Sequence, residues 1–296
     1  TPACRTGLLT VPKASPTTAV GLTLVGMLVL LSPAKDLAKE TPVAKGASQP
    51  ALLEHAVPLV NKLRTFSAKK LADLMDLSPA LGELNRQRYE RWSTPFTSSN
   101  ARPAVFTFNG EVYRGLDART LASADLDFAQ HHLRILSGLY GVLRPLDLMQ
   151  DYRLMMGTPF GMGKAKDLYA YWGDRIADTL KADLKRSGST TMVNLASAEY
   201  SRAARLRTLG ARVITPEFKD KAPGGYKSLQ VYVKFQRGAL ARYILQHRIL
   251  DAERIKAYDG DGYRFSAADS TPTTWVFLRD KRPPLVSRKL AGGRVR

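Results

Sequence analysis

Residues 128–157, FAQHHLRILSGLYGVLRPLDLMQDYRLMMG, place the strongest constraint on how this chain can fold. Apolar side chains recur at roughly helical spacing, which predicts a helix over residues 126–139. Gly138 and Gly141 then provide a sharp reversal, because glycine adopts positive φ values without steric cost. Arginines, acids and tyrosines crowd the residues that follow. The pattern fits a structural helix–turn–helix with solvated charges, or a turn that faces a ligand.

The composition is that of a folded protein. With 296 residues and 44% hydrophobic side chains, the chain can bury a sizeable core, so wholesale disorder is excluded. Cys4 is the only cysteine, which rules out an intramolecular disulfide framework and is typical of a reducing compartment. We therefore expect a cytoplasmic protein.

The chain is strongly basic, with a formal net charge of +19. Residues 281–296 hold +6 of this charge and residues 1–26 hold +2, so +11 remains on the body between them. A body with this charge favours a polyanionic partner, nucleic acid before membrane. The alternative is a basic enzyme whose surface charge is diffuse.

Three regions differ in character. Residues 1–26 are rich in Thr, Pro, Ala and Gly and predict an N-terminal extension, although the apolar run 19–31 could also pass for a signal-peptide core. That run is too short to span a bilayer. We expect a single domain over residues 27–280, beginning with a buried strand at 27–31, and a basic tail over 281–296.

Local patterns along the body mix helices and strands irregularly, which favours an α+β fold over a regular doubly wound sheet. We expect helices over 52–64, 67–77, 78–92, 126–139, 167–184, 197–204 and 239–247. We expect extended segments over 27–31, 104–108, 111–113, 190–195, 211–218, 227–235, 263–266 and 274–278.

Several segments together resemble the YaaA family of peroxide-stress proteins. The resemblance covers residues 27–279, and its most specific part is the run 134–148. Other matching segments are LLSPAK at 30–35, FNGEVY at 108–113, LY and YWGD within 168–174, NLAS at 194–197, EY at 199–200, and Tyr232 with Lys234, Arg237 and Gly238.

The resemblance implies a cytoplasmic protein that helps bacteria survive hydrogen peroxide, by limiting free iron or by protecting DNA. It implies an α+β fold with a curved, mostly antiparallel sheet packed with helices, and a basic cleft. It also implies a helix-hairpin-helix-like element, which falls on residues 128–157. The partner expected from it is double-stranded or branched DNA, bound without sequence specificity, and we expect a monomer with no membrane association.

A helix-hairpin-helix element binds DNA through its glycine-rich turn, where backbone amides approach phosphates and nearby arginines neutralise charge. Gly138 and Gly141 would permit that approach, because a Cβ atom would hold the phosphate away. Arg134 and Arg144 flank the turn and are the candidate phosphate contacts. Replacing either arginine should then weaken binding to all sequences equally.

A second constellation of charged residues and a tyrosine suggests a cleft. Its members are Lys35, Arg144, Asp147, Tyr152, Arg153, Lys234 and Arg237. Within it, Lys35, Asp147 and Arg237 are candidate catalytic residues. Asp147 would orient an arginine or act as a base, and the two cations would hold a phosphate. Arg153, Lys234 and Arg237 join the candidate phosphate contacts. The alternative is a buried ion-pair network that organises the fold.

The sequence predicts no cofactor and no metal centre. It contains no Ser/His/Asp order, nucleophilic cysteine or metal triad, and the adjacent His131 and His132 near Asp127 would point about 100° apart on a helix. Three functions remain open. The first is a DNA-binding oxidative-stress protein, and the second is an enzyme acting on a phosphorylated or nucleotide-like ligand in the Lys35/Arg144/Arg237 cleft. The third is a structural or chaperone-like partner in iron handling that has no site of its own.

Overall fold

A computed structural model describes residues 26–42 and 45–282 of the chain. The extension expected over residues 1–26 and the tail expected over 281–296 lie outside the described residues, apart from Gly26, Lys281 and Arg282. No helix of the described ranges is long and apolar enough to cross a membrane.

The described residues form helices and strands that alternate along the chain. The strands are β1 (Gly26–Leu31), β2 (Asp36–Leu37), β3 (Arg102–Pro103), β4 (Phe108–Asn109), β5 (Leu133–Ser137), β6 (Gly141–Leu143), β7 (Leu148–Met149), β8 (Ser189–Asn194), β9 (Arg212–Ala222), β10 (Gly225–Lys227), β11 (Arg264–Ser266) and β12 (Thr274–Arg279). The helices are α1 (Leu53–Arg64), α2 (Ala68–Met75), α3 (Pro79–Arg91), α4 (Ala104–Thr107), α5 (Glu111–Leu116), α6 (Ser123–His132), α7 (Leu168–Trp172), α8 (Arg175–Arg186), α9 (Ala198–Ala203) and α10 (Gln230–Gln246).

The central sheet is mixed and mainly parallel. Its strand order is β11-β12-β9-β8-β1-β5-β6, and β10 pairs with β9. The four inner pairs from β12 to β5 are parallel, whereas β5–β6, β9–β10 and β11–β12 are antiparallel. The expectation of a mostly antiparallel sheet is therefore wrong. Helical crossovers allow neighbouring strands to run parallel. Six helices separate β1 from β5 in the sequence, so the pairing of these two strands cannot be recognised from local patterns.

Strand β1 lies in the middle of the sheet, as its composition predicts. Residues Met27, Leu28, Val29, Leu30 and Leu31 are all completely buried. A parallel strand with β5 on one side and β8 on the other has both faces covered, so it reads as a continuous apolar run.

The region 128–157 folds differently from the prediction. Helix α6 ends at His132, and the next residues form the antiparallel hairpin β5–β6, in which Ile135 pairs with Leu143 and Ser137 with Gly141. Strands therefore lie on both sides of the turn, and a helix-hairpin-helix is not formed there. Backbone pairing of β5 with β1 decides the outcome, since it buries the whole strand and overrides the helical spacing of its leucines.

Other local predictions are also corrected. Residues 104–107 and 111–116 are helical rather than extended, and the helix expected over 167–184 is divided at Gly173, whose φ is +52°. The strand expected over 227–235 gives way to α10 from Gln230 onward. Helices α5 and α10 pack so closely that this contact, invisible in local sequence, favours helix in both segments.

Candidate functional site

The carboxyl ends of β1 and β8 form the natural ligand position of this sheet. After β1, the chain crosses to β5 on one side, and later it returns to β8 on the other side. In open α/β sheets, ligands bind beyond the carboxyl ends of the strands where the direction of winding reverses. We call the surface at this end of the parallel strands the carboxyl edge.

Two serines connect the ends of these strands. Ser32 directly follows β1, and Ser197 lies just beyond β8. The Ser197 backbone N–H donates to Ser32 Oγ (2.8 Å), and Ser32 Oγ donates to Ser197 Oγ (3.3 Å). The Tyr113 hydroxyl donates to the Ser32 carbonyl oxygen (3.0 Å). Asn194, the last residue of β8, accepts from the Ser201 hydroxyl and completes a polar floor.

Lys35 lies at the carboxyl edge, three residues beyond Ser32, and is exposed. The neighbouring Ala34 contacts Gly110, the residue that precedes α5. Asp36 pairs with Asn109 in the small β2–β4 sheet. These contacts fix the loop that carries Lys35 beside the start of α5.

Arg237 and Lys234 belong to the first two turns of α10. The Ser228 hydroxyl donates to the carbonyl oxygen of Phe218, which holds the chain before α10 beyond the end of β8. Gly238 lies against the backbone of Val112 in α5, so close that a Cβ added to it would be 1.7 Å from the Val112 oxygen. Arg237 is thereby held next to α5, whose start Lys35 also borders.

The electrostatic setting of Arg237 is unusual for a surface arginine. It is half-buried, and desolvation lowers the pKa of its guanidinium, whereas the charge of Glu217 acts in the opposite direction. Within the described residues, Arg237 forms neither an ion pair nor a hydrogen bond through its side chain. A desolvated cation without a bonded acceptor is a favourable binding partner for an anion.

Arg153 belongs to the segment 152–157, which begins at the same edge. The Tyr152 hydroxyl bonds Ser137 Oγ at the end of β5 (2.6 Å), and Gly157 N–H donates to Glu199 in α9 (2.8 Å). The segment therefore crosses from the end of β5 to the helix after β8. Arg153 is half-buried, and among the described carboxylates none forms an ion pair with it.

Arg144 and Asp147 lie at the opposite end of the sheet. Asp147 is 1% exposed and accepts from Ser48 Oγ (2.6 Å), Arg144 N–H (2.8 Å) and Arg144 Nε (3.2 Å). Desolvation raises the pKa of Asp147, and these hydrogen bonds oppose the shift. Gln130, just before β5, accepts from the Leu146 N–H, which puts this turn at the amino edge. The structure thus divides the predicted single cleft in two.

Arg134, Gly138 and Gly141 do not offer the phosphate contacts that the sequence suggested. Arg134 is 3% exposed, and its Nε donates to Asp183 (2.6 Å) in α8. A Cβ on Gly138 would be 2.2 Å from the Leu154 oxygen. Gly141 has a φ of +69°, and Trp172 leaves no room for a side chain there. These residues serve close packing inside the protein.

Two grooves lie outside the carboxyl edge. One, of about 560 Å³, lies between β6 and α8, and its charged lining residues balance: Arg134, Arg144, Arg186, Asp147, Asp178 and Asp183. The other, of about 280 Å³, follows α6 and is lined by Ala124, Asp127, Phe128, His131, His132 and Arg248. In neither groove, nor elsewhere in the described ranges, do three His, Cys, Asp or Glu residues form a group that could hold a metal ion.

Sequence reasoning missed Ser197 and Asn194 as members of a site. The signal was present, because Ser32 directly follows the predicted strand 27–31, Asn194 lies near the end of the predicted strand 190–195, and Ser197 lies two residues beyond it. Only the parallel pairing of those strands, with Leu30 opposite Asn194, brings the polar residues together.

The fold and the edge define a mixed α/β protein with a mainly parallel sheet and a cationic, hydroxyl-lined carboxyl edge. Residues 27–269 match the family described as peroxide stress protein YaaA, and the chain belongs to that family. It is 46% identical over 257 residues to a UPF0246 protein of Aliivibrio fischeri strain MJ11, covering 86% of this chain and 99% of the relative. The UPF0246 proteins of Burkholderia lata and Cupriavidus metallidurans are both 49% identical to this chain, over 256 and 257 residues respectively. Each match covers 86% of this chain and 98% of the relative.

Proposed function

We propose that this peroxide-stress protein binds the phosphate backbone of duplex or branched DNA at its carboxyl edge, and so limits iron-driven damage to the bound DNA. The contacts would come from four cations: Lys35, Arg153, Lys234 and Arg237. One observation carries the proposal. None of the four forms an ion pair with a described carboxylate, whereas Arg134 and Arg144 are each bonded to a buried aspartate.

The charge balance supports this assignment. Removing the six basic residues outside the described ranges from the formal charge of +19 leaves +13 on the described residues. Two carboxylates near the edge are already engaged, since Glu199 accepts from Gly157 N–H and Glu217 pairs with Lys219. The four cations therefore remain available to phosphate oxygens, and contacts of this kind do not depend on base sequence.

The test is the salt dependence of duplex binding. Removing a single cation that binds a phosphate should reduce the slope of log K against log salt by about 0.9. We expect Lys35→Gln, Arg153→Gln, Lys234→Gln and Arg237→Gln each to reduce the slope by about that amount, equally for unrelated DNA sequences.

Lys185→Gln is the matched control, because Lys185 is exposed on α8, just before β8 and hence at the amino edge. It should leave both affinity and slope unchanged. The damage arm measures strand nicking by ferrous iron and peroxide with and without bound protein. Failure of the wild type to retard DNA at low salt would refute the proposal, as would equal slopes for the Lys234 and Lys185 variants.

A further inference from the structure

We infer that the floor between the ends of β1 and β8 is a binding site for a terminal phosphate group, the monoester phosphate of a nucleotide or of a nucleic-acid end. Ser32, Ser197 and Asn194 form the floor, and Lys35 and Arg237 flank it. This site goes beyond the proposed backbone binding and does not depend on it. The two would share cations but not the serines.

The position of the floor is the first argument. Ser32 and Ser197 follow adjacent parallel strands at the point where the winding of the sheet reverses. Loops that diverge from such a point leave a crevice between them. A ligand entering at this point would meet a polar base in an otherwise apolar setting, because Leu31 and Leu195 on either side are buried.

The hydrogen-bonding capacity of the serines is the second argument. A serine hydroxyl has one donor and two acceptor positions. Ser32 Oγ uses its donor on Ser197 Oγ and accepts the Ser197 N–H. The Ser197 hydroxyl hydrogen has no acceptor among the described residues, although the side chain is only half-exposed. A phosphate oxygen is a strong acceptor and would complete this set.

The flanking charges are the third argument. Arg237 is held against α5 and is half-buried, and no carboxylate of the described residues is bonded to it. Burial disfavours its charged guanidinium, and a bound anion would stabilise that charge. Lys35 follows Ala34, which lies beside Gly110 at the start of the same helix. Fixed hydroxyls with two cations match a dianionic monoester better than a singly charged diester.

Depth separates this ligand from backbone DNA. The serines and Asn194 are more buried than Lys35 and Lys234, which are exposed, and Asn194 is 7% exposed. A terminal phosphate can reach such partly buried groups end-on, whereas a phosphate in the middle of a duplex is held back by its neighbours. Binding of the DNA backbone therefore uses the four cations Lys35, Arg153, Lys234 and Arg237, which we call the rim. The terminal phosphate uses the floor.

Calorimetric titration of the full chain with inorganic phosphate, adenosine 5′-monophosphate and adenosine tests the inference. We expect the two phosphate-bearing probes to bind and adenosine not to bind. Ser197→Ala should weaken the binding of adenosine 5′-monophosphate about tenfold or more, since it removes a hydrogen bond to a charged group. Ser187→Ala is the matched control, a half-buried serine at the other end of β8.

A second arm compares short duplexes with and without 5′-phosphates, which distinguishes the two sources of the phosphate. A preference for the phosphorylated end that Ser197→Ala abolishes assigns the site to nucleic-acid ends, and tight nucleotide binding without that preference assigns it to free nucleotides. Backbone binding at the rim should be unchanged in Ser197→Ala, so the two proposals fail separately. Absence of binding by every phosphate probe would overturn the inference, and so would equal reductions of affinity in the Ser197 and Ser187 variants.

Discussion

Replacing Arg134 with methionine tests whether this arginine stabilises the fold or contacts DNA. The side chain is 4% exposed, and its Nε donates to Asp183, whose own side chain is 6% exposed. Its Nη1 also donates to the carbonyl oxygens of Gln130 (3.1 Å) and Leu133 (2.7 Å). Methionine keeps much of the volume but removes all three hydrogen bonds and leaves Asp183 short of a partner.

The expected cost follows from what remains around Asp183. Removing one partner of a buried ion pair typically costs about 3–5 kcal/mol, because a charge is left uncompensated. Arg186 still donates to the other oxygen of Asp183 (2.6 Å), although it is largely exposed. We therefore expect the lower end, about 3 kcal/mol, which is roughly 6–12 °C in Tm for a domain of this size.

Urea unfolding and the DNA affinity of the folded variant are the two measurements. We expect Arg134→Met to lose stability while its affinity for DNA, corrected for the folded fraction, stays unchanged. Lys181→Met is the control on α8, since its pair with Asp178 is exposed and should change stability by less than about 1 kcal/mol. A variant with wild-type stability and reduced DNA affinity would refute the assignment of Arg134 to the core.

Two further predictions concern the packing of helices against the sheet. Gly238→Ala forces a Cβ to within 1.7 Å of the Val112 oxygen, so α5 and α10 must separate, at a cost of about 1–3 kcal/mol or more; denaturant midpoints check this against Val231→Ala, a change at a position 53% exposed on the same helix. Burial lowers the pKa of His132, so its neutral ring contributes stability above about pH 6.5 that is lost as the pH falls through its folded pKa. On acidification from about pH 8 to about pH 5, the unfolding midpoint of His132→Asn should fall less than that of the wild type. Identical pH profiles for the two proteins would contradict the assignment of this pH dependence to His132.

Strong local patterns predicted part of the fold. The apolar run at 27–31 identified β1, and the extended segments expected over 263–266 and 274–278 correspond to the pair β11–β12. The helices expected over 67–77 and 78–92 correspond to α2 and α3, in which the N-cap residues Ser67 and Ser78 accept from backbone N–H groups. These elements share one property, since each is specified by residues close together in sequence.

The elements predicted wrongly depend on distant partners. Leucines at 133, 136 and 139 fit a helix as well as a strand, and pairing of Val29 with Leu133 decides between them. The glycines at 138 and 141 indicated a tight turn, but their sequence could not show that they lie against backbone and Trp172. A glycine required for packing and a glycine required for phosphate approach look the same in sequence.

The candidate site shows the same limit with charged residues. Arg134, Arg144 and Arg237 were equivalent in sequence, each a basic residue near glycine. In the fold, the first two are bonded to Asp183 and Asp147, and only Arg237 is left without a bonded carboxylate in the described ranges. Whether Arg237 can bind an external anion depends on which arginines the distant carboxylates pair with, and no local sequence pattern shows that pairing.

The carboxyl edge depends on a few backbone contacts between segments that are remote in sequence. The Ser197 backbone N–H donates to the Ser32 hydroxyl, and Arg237 is set beside α5 by the contact of Gly238 with Val112. Stability and ligand binding are therefore coupled at α5 and α10. Gly238→Ala should weaken anion binding even though it removes no binding group, because it moves Arg237 away from the floor. The same variant leaves the serine pair intact, so residual phosphate binding in it would measure what the floor contributes without the arginine.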